Sequence, residues 1–156
     1  MVEKSLRVQK INNGTVIDHI TSGMALKVLK ILGIKGKEDN IVSILMNVPS
    51  GHNHGHRKDI VKVENRALEI GDIDKIALIS PQATINYIKD FKVVKKEKVK
   101  IPKEFKGIIK CRNPNCISNS REPIKSYFKL ENKDPLLIKC DYCSILMDKE
   151  DIIDSI

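Results

Sequence analysis

Apolar and polar positions follow two periods along the first hundred residues, and the changes of period mark the elements. "SLRVQKI" (5–11) sets Leu6, Val8 and Ile11 among polar neighbours and runs into the turn "NNG", which predicts a strand. "VIDHI" follows as a short extended segment. In "TSGMALKVLKILGI" (21–34), Ala25, Val28, Leu29 and Leu32 recur at helical spacing, while Lys27 and Lys30 fall off the stripe. A helix is expected there, capped by Thr21 or Ser22 and ended by Gly33 and Gly36. "NIVSILMNV" (40–48) is a β-branched apolar run and predicts a buried strand. Pro49, Gly51 and Gly55 make "PSGHNHGH" a loop. "RKDIVKVENR" sets Val61 and Val63 against Ile60, Lys62 and Glu64, a strand with one buried face. "EIGDIDKIALIS" carries Ile73, Ile76 and Ala77 at helical spacing and stops before Pro81. "ATINYIKDFKVVKK" (83–96) reads as one long strand. The resulting order, β-α-β-β-α-β, predicts an α+β protein with a ferredoxin-like sandwich at its N-terminus.

The pattern changes near residue 95. "KKEKVKIPKEFKG" (95–107) is charged, holds Pro102 and Gly107, and reads as a linker between a domain at 1–100 and a second at 101–156. The second stretch is too short to hold a sizeable core without a staple and is expected to be small and β-rich. Its cysteines supply the staple: Cys111 and Cys116 are separated by four residues, and Cys140 and Cys143 by two. Two disulfides or four inert core thiols are the plain alternatives. The two short spacings consume every cysteine in the chain, however, and two tight knuckles facing one ion suit tetrahedral zinc. One structural Zn²⁺ per chain is expected, with no open coordination position for catalysis.

Net charge of +8 adds an acidic or phosphorylated partner to this picture. The charge is uneven: eighteen basic against eleven acidic residues in 1–100, and ten against nine in 101–156. A zinc-ribbon nucleic-acid-binding protein is therefore the rival reading. Against it, the zinc half is nearly neutral, and aromatic residues for stacking are scarce. No apolar run reaches the ~18 residues of a membrane span, and the first ten residues hold no apolar leader, so a cytoplasmic protein is expected, without membrane partners. No Gly-rich phosphate loop occurs, and Ser50 in "PSG" is not in a nucleophile elbow, so no enzyme is expected. His52, His54 and His56 sit among glycines and read as an exposed, dispensable loop rather than a specific metal site.

"GTVIDHI", "NVPSG…RKDIVKVEN" and "SPQATIN", followed by the two cysteine knuckles, together resemble the regulatory chain of aspartate carbamoyltransferase, in order and over nearly the whole chain. The resemblance implies a non-catalytic subunit in pyrimidine synthesis. It also implies regulatory-chain homodimers bridging catalytic chains, and an N-terminal domain that binds nucleoside triphosphates, CTP among them, but not nucleic acid. By resemblance, Asp18 would accept hydrogen bonds from ribose, and Lys62 would reach ribose and base. His19 and Lys96 would face the triphosphate, with Asn86 near the phosphates. Ile11, Phe91 and Val93 would frame the base, partly through backbone groups; Phe91 departs from the tyrosine of some relatives, so no hydroxyl contact is expected there. Asn113 and Asn115, inside the first knuckle, would lie at the catalytic-chain interface.

Overall fold

The computed structural model describes residues 10–51 and 55–156. The strand expected over 5–11 falls mostly outside them; Lys10 and Ile11 are irregular, with Ile11 buried. β1 (Gly14–Thr21) buries Thr15, Ile17 and Ile20. Ile17 and Ile20 are three apart, so a regular strand would point them to opposite faces. A bulge between them brings both inward, and its His19 sits at φ 55°.

α1 (Ala25–Ile31) is shorter than expected at its start. Neither Thr21 nor Ser22 caps it. The Ser22 hydroxyl donates to Asn47 Oδ1, and the Thr21 hydroxyl to Ser80 Oγ. The cap comes instead from across the sheet: fully buried Asp59 accepts from the N–H groups of Gly23 (2.9 Å) and Ala25 (3.0 Å). At the other end Gly33, at φ 69°, donates to Lys30 O while Ile34 donates to Leu29 O, a Schellman ending that needs the left-handed glycine.

β2 (Val42–Pro49) and β3 (Arg57–Glu64) form a hairpin, and α2 (Ile70–Ile79) follows, started by a Glu69–Asp72 capping box. The apolar run of β2 does not make a buried strand. β2 lies at the edge of the sheet, with Ile44 and Met46 exposed. The long strand expected over 83–96 is a second hairpin, β4 (Thr84–Lys89) and β5 (Lys92–Lys98). Asp90 (φ 52°) and Phe91 (φ 63°) form its two-residue turn. Two positive φ values mark a type I′ turn, which normally advertises itself with Asn-Gly or Asp-Gly; Asp-Phe gives only half that signal.

The first sheet is antiparallel in the order β2-β3-β1-β4-β5, the ferredoxin-like arrangement with one further edge strand. α1 and α2 supply Ala25, Val28, Ile76 and Ile79 to the core against Ile17, Val61, Val63 and Ile85. The other face stays open.

The stretch 95–107 is not all linker. It holds the end of β5 and the start of the second sheet, and only residues 99–103 connect them. Solvated lysines on an edge strand look like a linker because both present charge to water. The second sheet runs β6 (Glu104–Lys106), β7 (Tyr127–Lys133), β8 (Leu136–Cys140) and β9 (Leu146–Asp148) in sequence order, and α3 (Lys149–Asp154) follows. Phe105, Phe128, Ile138, Met147 and Ile152 are fully buried there and continue the core of the first unit. α3 packs near α2, and the ammonium groups of Lys27 and Lys30 donate to the carbonyls of Ile153 (3.3 Å) and Ile156 (2.8 Å). Among the described residues no helix is long and apolar enough to cross a membrane.

Candidate functional site

The four cysteines converge as their spacing implied. Their sulfurs all lie within 4.8 Å of one another, with Cys111–Cys143 and Cys116–Cys140 each at 3.7 Å. Four sulfurs about 2.3 Å from one ion in a tetrahedron stand about 3.75 Å apart, so the set fits one four-coordinate metal. Neither pair is at disulfide distance. Burial pushes the Cys111 thiol up to about 12 and raises Cys140 as well. At Cys143 burial also acts upward, but the Ile145 N–H, the Asn113 amide and the other thiols outweigh it and hold the group at about 7. A buried thiol cluster of this kind is relieved by a cation, which holds the sulfurs as thiolates.

Asn113 builds the first knuckle. Its side-chain oxygen accepts from the Asn115 N–H (3.0 Å), and its carbonyl accepts from the Cys116 N–H (3.0 Å). Asn119, which sequence reasoning passed over, locks the same turn by donating to the carbonyls of Cys111 and Asn113. Asn115 is exposed beside it, and Ile117, Tyr142 and Leu146 form exposed apolar ground on this unit.

The second candidate site is the open face of the first sheet. Strand register sets Lys62, Val16, Asn86 and Lys96 opposite one another across β3, β1, β4 and β5. Two clefts lie along this face. One, of about 380 Å³, is lined by Lys10, Ile11, Val16, Asp18, Ile60, Lys62, Asn86, Ile88, Phe91 and Val93. The other, of about 410 Å³, is lined by His19, Ser50, His56, Arg57, Lys58, Gln82, Thr84, Lys96 and Lys98. Of the eight residues singled out for a nucleotide, Ile11, Asp18, Lys62, Asn86, Phe91 and Val93 share the first cleft, and His19 and Lys96 share the second.

The bulge in β1 joins the two clefts. Asp18 Oδ1 accepts from the His19 N–H (2.6 Å) and pairs with the Lys58 ammonium at 2.9 Å. His19 Nδ1 lies 3.2 Å from the Thr84 hydroxyl. Phe91 donates its N–H to Asn12 O, so only its ring and carbonyl remain for a ligand. Lys58, Thr84 and Ile60 were not singled out from sequence. The alternation of β3 carried the signal, since it puts Lys58, Ile60 and Lys62 on one face. His52 and His54 lie outside the described residues. His56 is exposed at the end of that loop, next to β3, and also lines the second cleft.

Comparison with known proteins finds one family over both units. The family described as "Aspartate carbamoyltransferase regulatory chain, allosteric domain" matches residues 6–100. The family described as "Aspartate carbamoyltransferase regulatory chain, metal binding domain" matches residues 103–153. Curated relatives named "Aspartate carbamoyltransferase regulatory chain" align over nearly their whole length. That of Methanocella arvoryzae is 52% identical over 149 residues, covering 95% of this chain and 94% of the relative. That of Thermoplasma volcanium is 47% identical over 154 residues, covering 99% and 100%. That of Staphylothermus marinus is 51% identical over 152 residues, covering 97% and 92%. With an allosteric domain carrying the open sheet face and a metal-binding domain carrying four converging cysteines, this chain belongs to the aspartate carbamoyltransferase regulatory chain family and is a regulatory rather than a catalytic chain.

Proposed function

We propose that residues 1–100 bind nucleoside triphosphates, CTP among them, on the open sheet face, and that residues 101–156 dock on the catalytic chain of aspartate carbamoyltransferase. The chain would thereby control pyrimidine synthesis in the cytoplasm. The observation that carries this reading is the division of the open face into two adjoining clefts of different chemistry. The first has apolar walls, Ile11, Ile88, Phe91 and Val93, beside the polar groups of Asp18, Lys62 and Asn86. That combination suits a nucleoside. The second gathers Arg57, Lys58, Lys96 and Lys98 around His19. That combination suits a phosphate chain. Asp18 spends Oδ1 on Lys58 and on the bulge, which leaves Oδ2 for a ribose hydroxyl. Family membership favours this reading over a nucleic-acid-binding zinc ribbon.

The metal is Zn²⁺ in this reading, because four thiolates in a closed tetrahedral set are a structural zinc environment. Zinc supplies no chemistry beyond holding the knuckles, and Asn113, Asn115 and the exposed Ile117 and Tyr142 then present the docking surface. The regulatory homodimer forms along β2. That strand is an open sheet edge carrying exposed Ile44 and Met46, next to Ile41, which is 64% exposed. A bare apolar edge is a template for a second strand. Control follows from unequal affinity: an effector shifts the catalytic chains only by binding their two states differently. The test is carbamoyl transfer by catalytic chains reconstituted with this chain. Added CTP should change the rate at subsaturating substrate. A rate unchanged by CTP, UTP and ATP alike would contradict the proposal.

A further inference from the structure

We propose that His56 is a second imidazole ligand for phosphate in the cationic cleft, which it lines together with His19. The proposal rests on the reading of that cleft as a triphosphate site and adds a residue to it. It also departs from the expectation that the histidine-rich loop is inert.

Position is the first argument. His56 is not at the tip of the β2–β3 hairpin but at its base. Its carbonyl accepts from the Ser50 N–H at 2.9 Å, and the next residue, Arg57, is in register with Pro49. The backbone at His56 is therefore fixed by the ladder, and the residue lines the same cleft as His19.

Charge is the second. The ionisable groups that line the cleft with His56 are His19 from β1, Arg57 and Lys58 from β3, and Lys96 and Lys98 from β5; Ile20, Ser50, Gln82 and Thr84 complete the wall. Two of these cations are already engaged, Arg57 with the Asn47 carbonyl (2.9 Å) and Lys58 with Asp18, the nearby carboxylate. An imidazole N–H on the same wall is a further donor for an anion held among them.

The experiment is calorimetric titration of the full chain at pH 7 with CTP, with cytidine and with inorganic tripolyphosphate. Wild type, His56→Ala and His19→Ala are compared. His56→Ala should bind CTP and tripolyphosphate about three- to tenfold more weakly, as His19→Ala should, and bind cytidine as wild type does. Equal affinity of wild type and His56→Ala for CTP and tripolyphosphate would overturn the proposal. His56-dependent binding of tripolyphosphate, but without CTP binding, would support it and overturn the nucleotide reading alone. Binding of neither ligand would overturn both.

Discussion

At the scale of single residues, the proposed site gives Asp18 and Lys96 separate roles on the open face. Asp18 stands beside the bulge, in the cleft with apolar walls, and holds Lys58; Lys96 is an exposed cation in the adjoining cleft. Hydrogen bonds to charged groups contribute about 1.5–3 kcal/mol. Lys96→Ala should therefore weaken CTP binding by ~10–100-fold and cytidine binding far less, because cytidine has no phosphates. Asp18→Ala should weaken both alike, since both carry ribose. Equilibrium dialysis of the two variants with the two ligands checks this, and equal losses for Lys96→Ala with CTP and cytidine would contradict it. Asp18 and Lys96 were picked out through the family resemblance: Asp18 stands in "GTVIDHI", whereas Lys96 lies in an exposed, lysine-rich strand that by itself reads as a solvated face. Lys58 and His56 were harder to read. Lys58 needs the face assignment of β3, and His56 needs the register of a hairpin whose turn sequence is glycine-rich and uninformative.

At the scale of elements, one buried side chain ties three of them together. Asp59 on β3 accepts from Gly23 and Ala25 at the start of α1 and from the Asn47 N–H (2.7 Å) at the bulge of β2. Asn47 sits at φ 59°, so this strand edge is held in its kink by a neighbour's carboxylate. Asp59→Ala would leave three backbone donors without their acceptor, at a cost of about 3 kcal/mol or more. A denaturant titration should show that loss; a variant as stable as wild type would show that the cap is dispensable. Such a cap is invisible in a local reading, which assigned the role to Thr21 or Ser22, because its acceptor is thirty-four residues away from Ala25. The same limit explains two other elements. The hairpin turn at Asp90 and Phe91 lacks a glycine, and apolar β2 proved to be an edge. Periodicity reports which residues avoid water, but not whether a neighbouring strand or another molecule provides the cover. The helices and the alternation of β3 were legible because their period is set by the core they themselves bury.

At the scale of the whole molecule, the metal and the open face lie in different sheets joined by one core. The metal-binding unit buries only a few large side chains of its own, Phe105, Phe128, Ile138 and Met147 among them. Four cysteines brought together from 111–116 and 140–143 must therefore carry much of its order. Removing the metal with a chelator should unfold the second sheet and leave the first with most of its amide protection, as read by hydrogen exchange; unchanged protection in β7 and β8 would contradict a structural role. The contacts from Lys27 and Lys30 to the carbonyls of Ile153 and Ile156 give the two units a shared boundary. All of this depends on the open face being an effector site. The most direct measurement is a crystal structure of the chain with CTP. The ribose should lie within hydrogen-bonding distance of Asp18 and Lys62, and the triphosphate should extend past the β1 bulge to His19 and Lys96. CTP bound elsewhere on the chain, with this face empty, would contradict the account.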